Sequence, residues 1–278
     1  MLAILAGTAI IAWSPILVRF LDVGPVAGGA WRMLLSLPVL GAWAFRNARA
    51  APERSNARAV AGVLLLAGLC FACDVACFHV AVVSTSVANA TFIGNLSPIL
   101  ALAGGAFFFA EHPKPLVWVA LALALCGSWV MTGMAGPSGV APGDAFALAA
   151  SLAYAGYLLA MKRARTRIDG AGATFWSAFV SMPVLFLVAR LHGETMLPSS
   201  LAGWAVVFTL GCVSHAFGQG LTSVALGRAP VALIAIVVLA QPPVSAMLAW
   251  LALHEPMGAT QLIGGAIILS AVAVGRPR

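Results

Sequence analysis

Six stretches of this chain, each at least 20 residues long, contain no Asp, Glu, Lys or Arg. An α-helix needs about 20 apolar residues to cross the roughly 30 Å hydrocarbon core of a membrane. The whole sequence is 62% hydrophobic and 8% charged, whereas soluble domains carry about 25% charged residues. The stretches lack the alternation of period two that barrel strands show, so the sequence predicts an all-α integral membrane protein. They are residues 75–110, 115–143, 170–189, 195–227, 229–254 and 256–275.

The first of these stretches is too long for one crossing, and it contains the polar break Ser84-Thr85-Ser86. We therefore divide it into the end of one helix and the whole of the next. The same analysis along the chain predicts ten transmembrane helices with short connections and no soluble domain. The N-terminal segment lacks the basic region and cleavage site of a signal peptide, so we expect it to form the first span. The predicted spans are residues 2–21, 26–45, 59–79, 86–110, 115–134, 144–163, 171–190, 201–226, 230–253 and 257–275.

One apolar segment is written twice in the chain, with its landmark residues displaced by 144 positions. Division at the loop 136–144, which is rich in Gly and Pro, leaves five predicted spans in residues 1–135 and five in residues 144–278. Because five is odd, the second half must enter the membrane in the opposite direction. The sequence thus predicts two inverted-topology five-helix repeats around a central cavity, a plan that transporters use for alternating access. The repeated residues are Val87, Ala88, Pro98 and Glu111, which return as Val231, Ala232, Pro242 and Glu255.

The basic residues are distributed unevenly around the predicted spans. The chain has 15 Lys and Arg residues against 8 Asp and Glu, a net charge of +7. With the N-terminus in the cytoplasm, twelve basic residues lie in inner loops or the C-terminal tail, Arg190 alone lies outside, and Arg19 and Arg32 fall within spans. This asymmetry is typical of the positive-inside rule. It predicts a bacterial-type inner membrane protein with both termini cytoplasmic, and it explains the basic charge without nucleic acid as a partner.

Several motifs in these spans occur together in a known group of membrane proteins. Pro25 is followed seven positions later by Arg32 in the second span, and Ala229-Pro230 precedes the repeated Val-Ala pair. With the paired Pro and Glu landmarks, the sequence resembles the drug/metabolite transporter superfamily over nearly its whole length, and within it the ten-helix EamA-type branch. It is most similar to bacterial exporters of amino acids, including aromatic ones. The resemblance implies a secondary transporter of small molecules; we expect no cofactor, and no oligomer is required.

Polar side chains inside the predicted spans are candidates for the wall of the central cavity, because polar groups are costly in a bilayer. The clearest pattern is His215, Gln219 and Thr222, which share one helix face at spacings i, i+4 and i+7. We interpret them as part of a cavity for a small amphipathic solute such as a zwitterionic amino acid. The alternative is that amides and hydroxyls bond neighbouring helices, and that His215 bonds a nearby carbonyl. The other predicted cavity residues are Trp13, Asn89, Asn95, Tyr154, Tyr157, Trp176, Gln241 and Ser245.

Two charged residues, Arg32 and Asp74, are predicted to lie in the outer half of the membrane. Arg32 follows Gly24 by eight residues and Asp74 follows Arg58 by 16 residues. These separations correspond to about 12 Å and about 24 Å of helix from opposite surfaces. We expect the two side chains to pair or to share a polar network; snorkelling to the interface is the alternative.

Two further pairs of repeated residues concern the shape of the helices. Pro98 and Pro242 are predicted hinges, because proline removes a backbone hydrogen bond and can kink a helix; static kinks that only widen the bundle are the alternative. Glu111 and Glu255 stand just before the next predicted spans. A carboxylate there complements the helix dipole, so we favour capping of those spans over a gating or proton-carrying role.

The sequence contains no signature of an enzyme or of a metal centre. It has no nucleophile elbow, P-loop or His-x-x-x-His spacing, and the first span carries no carboxylate before Asp22 that could bind a lipophilic cation. We therefore predict an exporter of small amphipathic metabolites, amino acids foremost, that works by alternating access. The alternatives are a proton-coupled multidrug or other metabolite exporter, an uncoupled channel, and a membrane enzyme or scaffold.

Overall fold

The computed structural model describes residues 2–50, 58–85, 87–133, 142–254 and 256–275. Regular structure within those ranges is entirely helical. The side chains of a few helical positions, Asn89 among them, lie outside what is described. The helices are α1 (Leu2–Ile11), α2 (Ser14–Val18), α3 (Pro25–Ala50), a 3₁₀ turn (Arg58–Val60), α4 (Ala61–Ser84), α5 (Val87–Gly94), α6 (Ser97–Phe109), α7 (Pro115–Met131), α8 (Pro142–Ala164), α9 (Gly170–Leu191), α10 (Leu201–Phe208), a π-helical segment (Thr209–Gln219), α11 (Gly220–Leu226), α12 (Val231–Val238), α13 (Gln241–Leu253) and α14 (Ala259–Val274).

Within the described part of the chain, six helical segments are long and apolar enough to cross a membrane. Large apolar side chains point away from the protein interior; Phe107 is 83% exposed and Leu201 is 87% exposed. Water would solvate such a surface poorly, whereas the hydrocarbon core of a bilayer does not penalise it. These features confirm the prediction of an all-helical, multi-pass membrane protein. The six segments are Ala61–Ala81, Phe92–Phe109, Pro142–Ala164, Gly170–Leu191, Leu201–Leu226 and Val231–Leu253.

Three predicted spans contain a local interruption of the α-helical hydrogen bonding, although each continues as one helical segment. The regular α-helical hydrogen bonding is interrupted between α1 and α2, between α5 and α6, and between α12 and α13. Trp13, Leu96 and Ala240 at these junctions keep right-handed helical φ and ψ angles. In each case a proline follows as the second residue of the next helix, namely Pro15, Pro98 and Pro242. Proline has no N–H to donate and its ring clashes with the carbonyl four residues earlier. The hydrogen-bonding pattern is therefore interrupted at the turn before the proline, while the helical path continues. We call each such interruption a break. The other spans agree with the observed helices to within five residues at each end.

The duplicated segment has the same local structure in both places. Helices α5 and α6 begin and end at positions that are each displaced by 144 from the ends of α12 and α13. Ala110 and His254, which follow α6 and α13, adopt left-handed φ angles of 51° and 54°. They are the non-glycine residues with positive φ in the described ranges. The helix, break, helix and left-handed cap thus form one element that occurs twice; the opposite orientation of the two halves stays a prediction.

The chain divides into two compact units, and neither coincides with the sequence halves 1–135 and 144–278. Unit 1 contains Met1–Ala76 and Gly156–Arg228. Unit 2 contains Cys77–Ala155 and Ala229–Arg278. Each unit therefore combines helices from both halves of the sequence.

Glycines allow the helices of unit 2 to pack closely. A Cβ atom on Gly127 of α7 would lie 2.7 Å from the carbonyl oxygen of Gly264 on α14, and a Cβ atom on Gly264 would meet the Gly127 backbone in turn. Small residues at such contacts let helix backbones approach each other in membranes, where packing replaces the hydrophobic effect as the driving force. The α7–α14 contact is therefore a backbone-to-backbone contact that leaves no room for a side chain.

Candidate functional site

The polar stripe that the sequence predicts consists of His215, Gln219 and Thr222, and its first two residues lie on a π-helical segment. Within the long helical run Leu201–Leu226, residues Thr209–Gln219 take the wider i to i+5 hydrogen-bonding pattern. His215 and Gln219 on this segment are 1% and 3% exposed, and Thr222 on α11 is 1% exposed. π-helical turns are rare, and they occur frequently at functional sites.

His215 is buried without a hydrogen-bonding partner. Its Nδ1 and Nε2 atoms are both inaccessible, and neither finds a partner among the residues that the structure describes. A neutral imidazole carries one donor and one acceptor, and a buried polar group left unpaired costs about 1–3 kcal/mol. The alternative in which His215 bonds a neighbouring carbonyl is therefore wrong for the described part of the chain. A buried group in this state calls for an explanation.

A chain of hydrogen bonds runs beside His215. The Nε2 atom of Gln219 donates to the hydroxyl oxygen of Tyr157 over 3.1 Å, and Tyr157 is 1% exposed. A hydrogen bond also joins the hydroxyls of Tyr157 and Ser177. The Ser177 hydroxyl also donates to the Thr174 carbonyl over 3.0 Å. The chain links the π-helical segment to α8 and α9. Thr222, the third stripe residue, bonds the Gly218 carbonyl of its own helical run.

Phe71 on α4 joins these side chains, although sequence analysis missed it. Its ring centroid lies 4.8 Å from that of Tyr157 and 5.4 Å from that of His215. Phe71 precedes Asp74 by three residues, so the two share a helix face. That spacing was the available signal, but it was hidden in a uniformly apolar helix.

The two intramembrane charges belong to the same neighbourhood. Arg32 on α3 and Asp74 on α4 are both half-buried, and they interact electrostatically with each other. Arg32 also interacts electrostatically with Tyr157 and His215. The structure therefore brings together, within unit 1, five of the predicted site residues. We call this set the unit 1 cluster: Arg32, Asp74, Tyr157, His215 and Gln219.

Gly211 allows α3 to approach the π-helical segment. A Cβ atom at this position would lie 2.7 Å from the Cβ atom of Leu35 and 3.0 Å from the carbonyl oxygen of Arg32. The neighbouring Cys212 thiol donates to the Leu35 carbonyl over 3.3 Å. The absence of a side chain at Gly211 therefore positions Arg32 beside the segment that carries His215.

The other predicted residues of unit 1 lie at helix breaks and on aromatic surfaces. Trp13 stands in the break between α1 and α2 and is 39% exposed. Trp176 on α9 is also 39% exposed and packs edge-on against Phe175 and Phe179, with ring centroids 5.4 Å and 5.8 Å away. The Ser14 hydroxyl at the start of α2 forms a hydrogen bond with the Ser214 hydroxyl on the π-helical segment.

The predicted residues of unit 2 are more dispersed. Asn95 lies in the break between α5 and α6, where its Nδ2 atom donates to the Ser128 hydroxyl over 2.6 Å. This contact is an interhelical bond of the kind that we considered as the alternative to a cavity role. Tyr154 on α8 and Gln241 and Ser245 on α13 are partly buried. The side chain of Asn89 lies outside the described residues.

Glu111 caps a helix, but a different one from the helix that we predicted. Its Oε2 atom accepts a hydrogen bond from the backbone N–H of Val231 over 2.8 Å. Val231 begins α12, whereas the span that follows Glu111 in sequence is α7. The carboxylate thus complements the dipole of a helix that tertiary structure brings close. Glu255 lies outside the described residues.

Two carboxylates of unit 1, Glu194 and Asp22, accept hydrogen bonds from residues of distant loops, and neither role was predicted from the sequence. Glu194, after α9, accepts from the N–H groups of Val26 and Ala27 at the start of α3 over 3.3 Å and 2.8 Å. Asp22, before α3, accepts from the N–H groups and hydroxyls of Ser199 and Ser200 over 2.8–3.0 Å. These bonds, the Ser200 hydroxyl foremost, hold the pKa of the Asp22 carboxyl below its ordinary value. Glu194 therefore caps α3, whereas Asp22 holds the residues that precede α10, where the Ser200 hydroxyl caps the helix by accepting from the Gly203 N–H.

The model of the EamA-like transporter family matches residues 1–133 and again residues 141–274. This chain belongs to the EamA-like transporter family. Membership confirms the resemblance at the level of the family. It also makes the protein a membrane transporter, so the unit 1 cluster belongs to a protein that moves solutes.

Individual relatives share a low level of identity with this EamA-like transporter. The pseudopaline exporter CntI of Pseudomonas aeruginosa is 22% identical over 218 residues, 78% of this chain and 75% of that protein. An uncharacterized transporter of Archaeoglobus fulgidus is 26% identical over 205 residues, 72% and 71% of the two chains. A solved crystal structure aligns with a TM-score of 0.79 at 23% identity and covers 98% of this chain and 97% of its own. The last comparison shows a shared fold.

Proposed function

We propose that this EamA-like transporter is a secondary transporter that exports small amphipathic metabolites, amino acids foremost, by alternating access through a central cavity between its halves. The observation that carries the proposal is His215, whose two buried ring nitrogens have no partner among the described residues. A ligand that bonds the ring would recover the free energy that burial costs. Gln219, Tyr157 and the aromatic ring of Phe71 surround the same position. Such a site suits a solute with one polar and one apolar end.

Two further observations support transport by alternating access. The helix, break, helix element of α5 and α6 recurs as α12 and α13, and duplicated broken helices are typical of carriers whose halves exchange conformations. The distribution of Lys and Arg supports a fixed orientation with both termini in the cytoplasm. The relative named as a pseudopaline exporter supports outward movement of a small metabolite.

The proposal is tested by uptake into proteoliposomes. A panel of labelled threonine, methionine, phenylalanine, lysine and a lipophilic cation is supplied to the wild type, with and without an imposed pH gradient. We expect saturable uptake of neutral amino acids. The His215→Ala variant should lose about 5- to 150-fold in uptake rate divided by KM, since an unmade hydrogen bond in a dry site costs about 1–3 kcal/mol.

The matched control is His192→Ala, which removes an exposed imidazole after α9 in the same unit. It should transport like the wild type. Linear uptake that does not saturate would identify a channel instead. Uptake of the lipophilic cation alone, driven by the pH gradient, would identify a multidrug exporter. Equal transport by the two histidine variants would remove the basis for the site.

A further inference from the structure

The unit 1 cluster contains one positive and one negative side chain. Arg32 on α3 and Asp74 on α4 are half-buried, and they interact electrostatically. The close approach at Gly211 places the Arg32 backbone against the segment that carries His215. Asp74 follows Phe71 by one helical turn, and the Phe71 ring centroid lies 5.4 Å from that of His215. Charged residues within membrane helices are expensive and are usually functional. Because their formal charges cancel, the pair adds no net charge to the site. An occupant with a net charge would leave one buried charge without compensation, which is the costly outcome for a low-dielectric site.

We propose that the Arg32 and Asp74 pair selects zwitterionic substrates by exchanging partners with them. The substrate carboxylate bonds the Arg32 guanidinium and the substrate ammonium group bonds the Asp74 carboxylate, so that each buried charge keeps an opposite charge throughout. This inference rests on the proposed function. It adds that the α-carboxylate and α-ammonium groups, which all amino acids share, determine specificity more than the substrate side chain does.

His215 completes the carboxylate side of this arrangement. Its ring nitrogens have no partner among the described residues, and it interacts electrostatically with Arg32. A carboxylate has about four lone-pair positions, so one group can accept from Arg32 and from the N–H of His215 together. The ring of Phe71 lies beside His215 and also beside Tyr157, and it provides an apolar surface for the carbon skeleton.

A purely structural ion pair predicts a different behaviour from a pair that binds substrate. Removing one partner of a structural pair weakens the fold, and it lowers transport of every substrate by the same factor. Removing one partner of a recognition pair changes which substrates are accepted. The two cases are therefore separated by comparing analogues that lack one charge.

The experiment measures competition against labelled phenylalanine in proteoliposomes. N-acetylphenylalanine lacks the ammonium group and phenylalanine amide lacks the carboxylate. Against the wild type, we expect each analogue to inhibit at least about tenfold more weakly than phenylalanine, because each forgoes a charge-assisted hydrogen bond. In Arg32→Gln, the preference for phenylalanine over its amide should fall to about twofold or less, while the preference over the N-acetyl analogue is kept. Asp74→Asn should show the reverse pattern.

The matched control is Arg190→Gln, which removes an exposed guanidinium near the end of α9 and should keep both preferences. Thermal unfolding confirms that each variant is folded. The competition measured on the wild type already tests the inference without any variant. Equal inhibition by phenylalanine and both analogues would overturn the inference while leaving amino-acid transport intact. The inference would also be overturned if a variant lost affinity for phenylalanine and for both analogues by the same factor. A wild type that transports no amino acid would overturn the proposed function as well.

Discussion

The two units of this protein depart from regular helix in different ways. In unit 2, the departures are breaks before Pro98 and Pro242, and they recur at a displacement of 144 residues. Unit 1 has one such break, before Pro15, but its long run Leu201–Leu226 stays helical and widens into a π-helical segment that carries buried polar side chains. A break interrupts the helical hydrogen bonding at a position that proline dictates, whereas the π-helical segment redirects side chains within a continuous helix. We propose that the breaks of unit 2 are places to bend and that the π-helical segment of unit 1 is a place to bind.

The largest effect is expected from crowding the contact that positions Arg32. In Gly211→Ala, the new Cβ atom would meet the Leu35 Cβ atom at 2.7 Å and a backbone oxygen at 3.0 Å. Overpacking of this kind costs about 1–3 kcal/mol, and it moves α3 away from His215. We expect a lower unfolding temperature and a loss of at least about tenfold in uptake rate divided by KM.

Two other glycines serve as controls for that variant. A Cβ atom on Gly62 of α4 would meet nothing within 4 Å, so Gly62→Ala should be neutral or slightly stabilising with unchanged transport. Gly127→Ala in unit 2 would collide with the Gly264 carbonyl oxygen at 2.7 Å. It should lower stability and leave KM unchanged. A similar rise in KM for Gly127→Ala and Gly211→Ala would contradict the division of roles between the units.

The next effect compares one hydrogen bond from each unit. Tyr157→Phe removes the hydroxyl that accepts from Gln219, which leaves a buried amide unpaired at a cost of about 1–3 kcal/mol. We expect KM for phenylalanine to rise about tenfold. Asn95→Leu in unit 2 removes the bond to Ser128 and introduces the residue type found at the equivalent position 239. Its KM should stay within about twofold of the wild-type KM, because an interhelical hydrogen bond in a membrane contributes on average about 0.6 kcal/mol to stability. The reverse order of the two effects would move the binding site to unit 2.

A smaller effect is expected from removing the breaks of unit 2. Pro98→Ala and the double variant Pro242→Ala/Pro243→Ala restore the missing backbone N–H groups and remove the ring clashes, so each should favour regular helix; both prolines are replaced in α13 because Pro243 follows Pro242 directly. If the breaks act as hinges, the maximal transport rate falls severalfold in both variants while KM is kept. Static kinks would leave the rate unchanged. Single-turnover and steady-state uptake measured on the two variants distinguish these outcomes, and unequal responses would show that the two copies of the element are not used alike.

The smallest effect concerns the loops of unit 1. The lowered pKa of Asp22 means that its ionised form is favoured in the folded protein by the Ser199 and Ser200 bonds. A lowered pKa stabilises the fold at pH values above the pKa of the unfolded chain, and this contribution disappears as the pH falls through the folded value. The unfolding temperature is measured from neutral pH down to below the ordinary pKa of an Asp carboxyl. It should fall more steeply with pH for the wild type than for Asp22→Asn. Parallel curves would rule out the contribution.

Much of the helical framework could be predicted from the sequence. Charge-free stretches locate the spans, and the displacement of 144 positions correctly relates α5 and α6 to α12 and α13. The prolines at the breaks were visible, and Pro98 and Pro242 were predicted as hinges or kinks. The interruption of the hydrogen bonding at Trp13, Asn95 and Leu239 was not predicted, because hydropathy measures composition and a short interruption leaves composition unchanged.

The candidate site could be predicted in part. His215 and Gln219 stood out because polar side chains are rare in such spans, and their i, i+4 spacing remains visible in the sequence. The π-helical geometry could not be predicted, since Thr209–Gln219 contains neither proline nor charge. Phe71 looked like any other apolar residue of α4. The partner of Glu111 depends on tertiary contact between α12 and a distant loop, which no local pattern specifies.

The measurement that most directly tests a substrate site at His215 is nitrogen NMR of the protein labelled with ¹⁵N-histidine in detergent micelles. The signals of His215 are assigned with His215→Gln, and those of His192 serve as an internal reference. On titration with phenylalanine, the His215 ring nitrogens should shift saturably as they gain hydrogen bonds, and the His192 signals should stay in place. His215 signals that remain unchanged while the protein still binds phenylalanine would contradict the account.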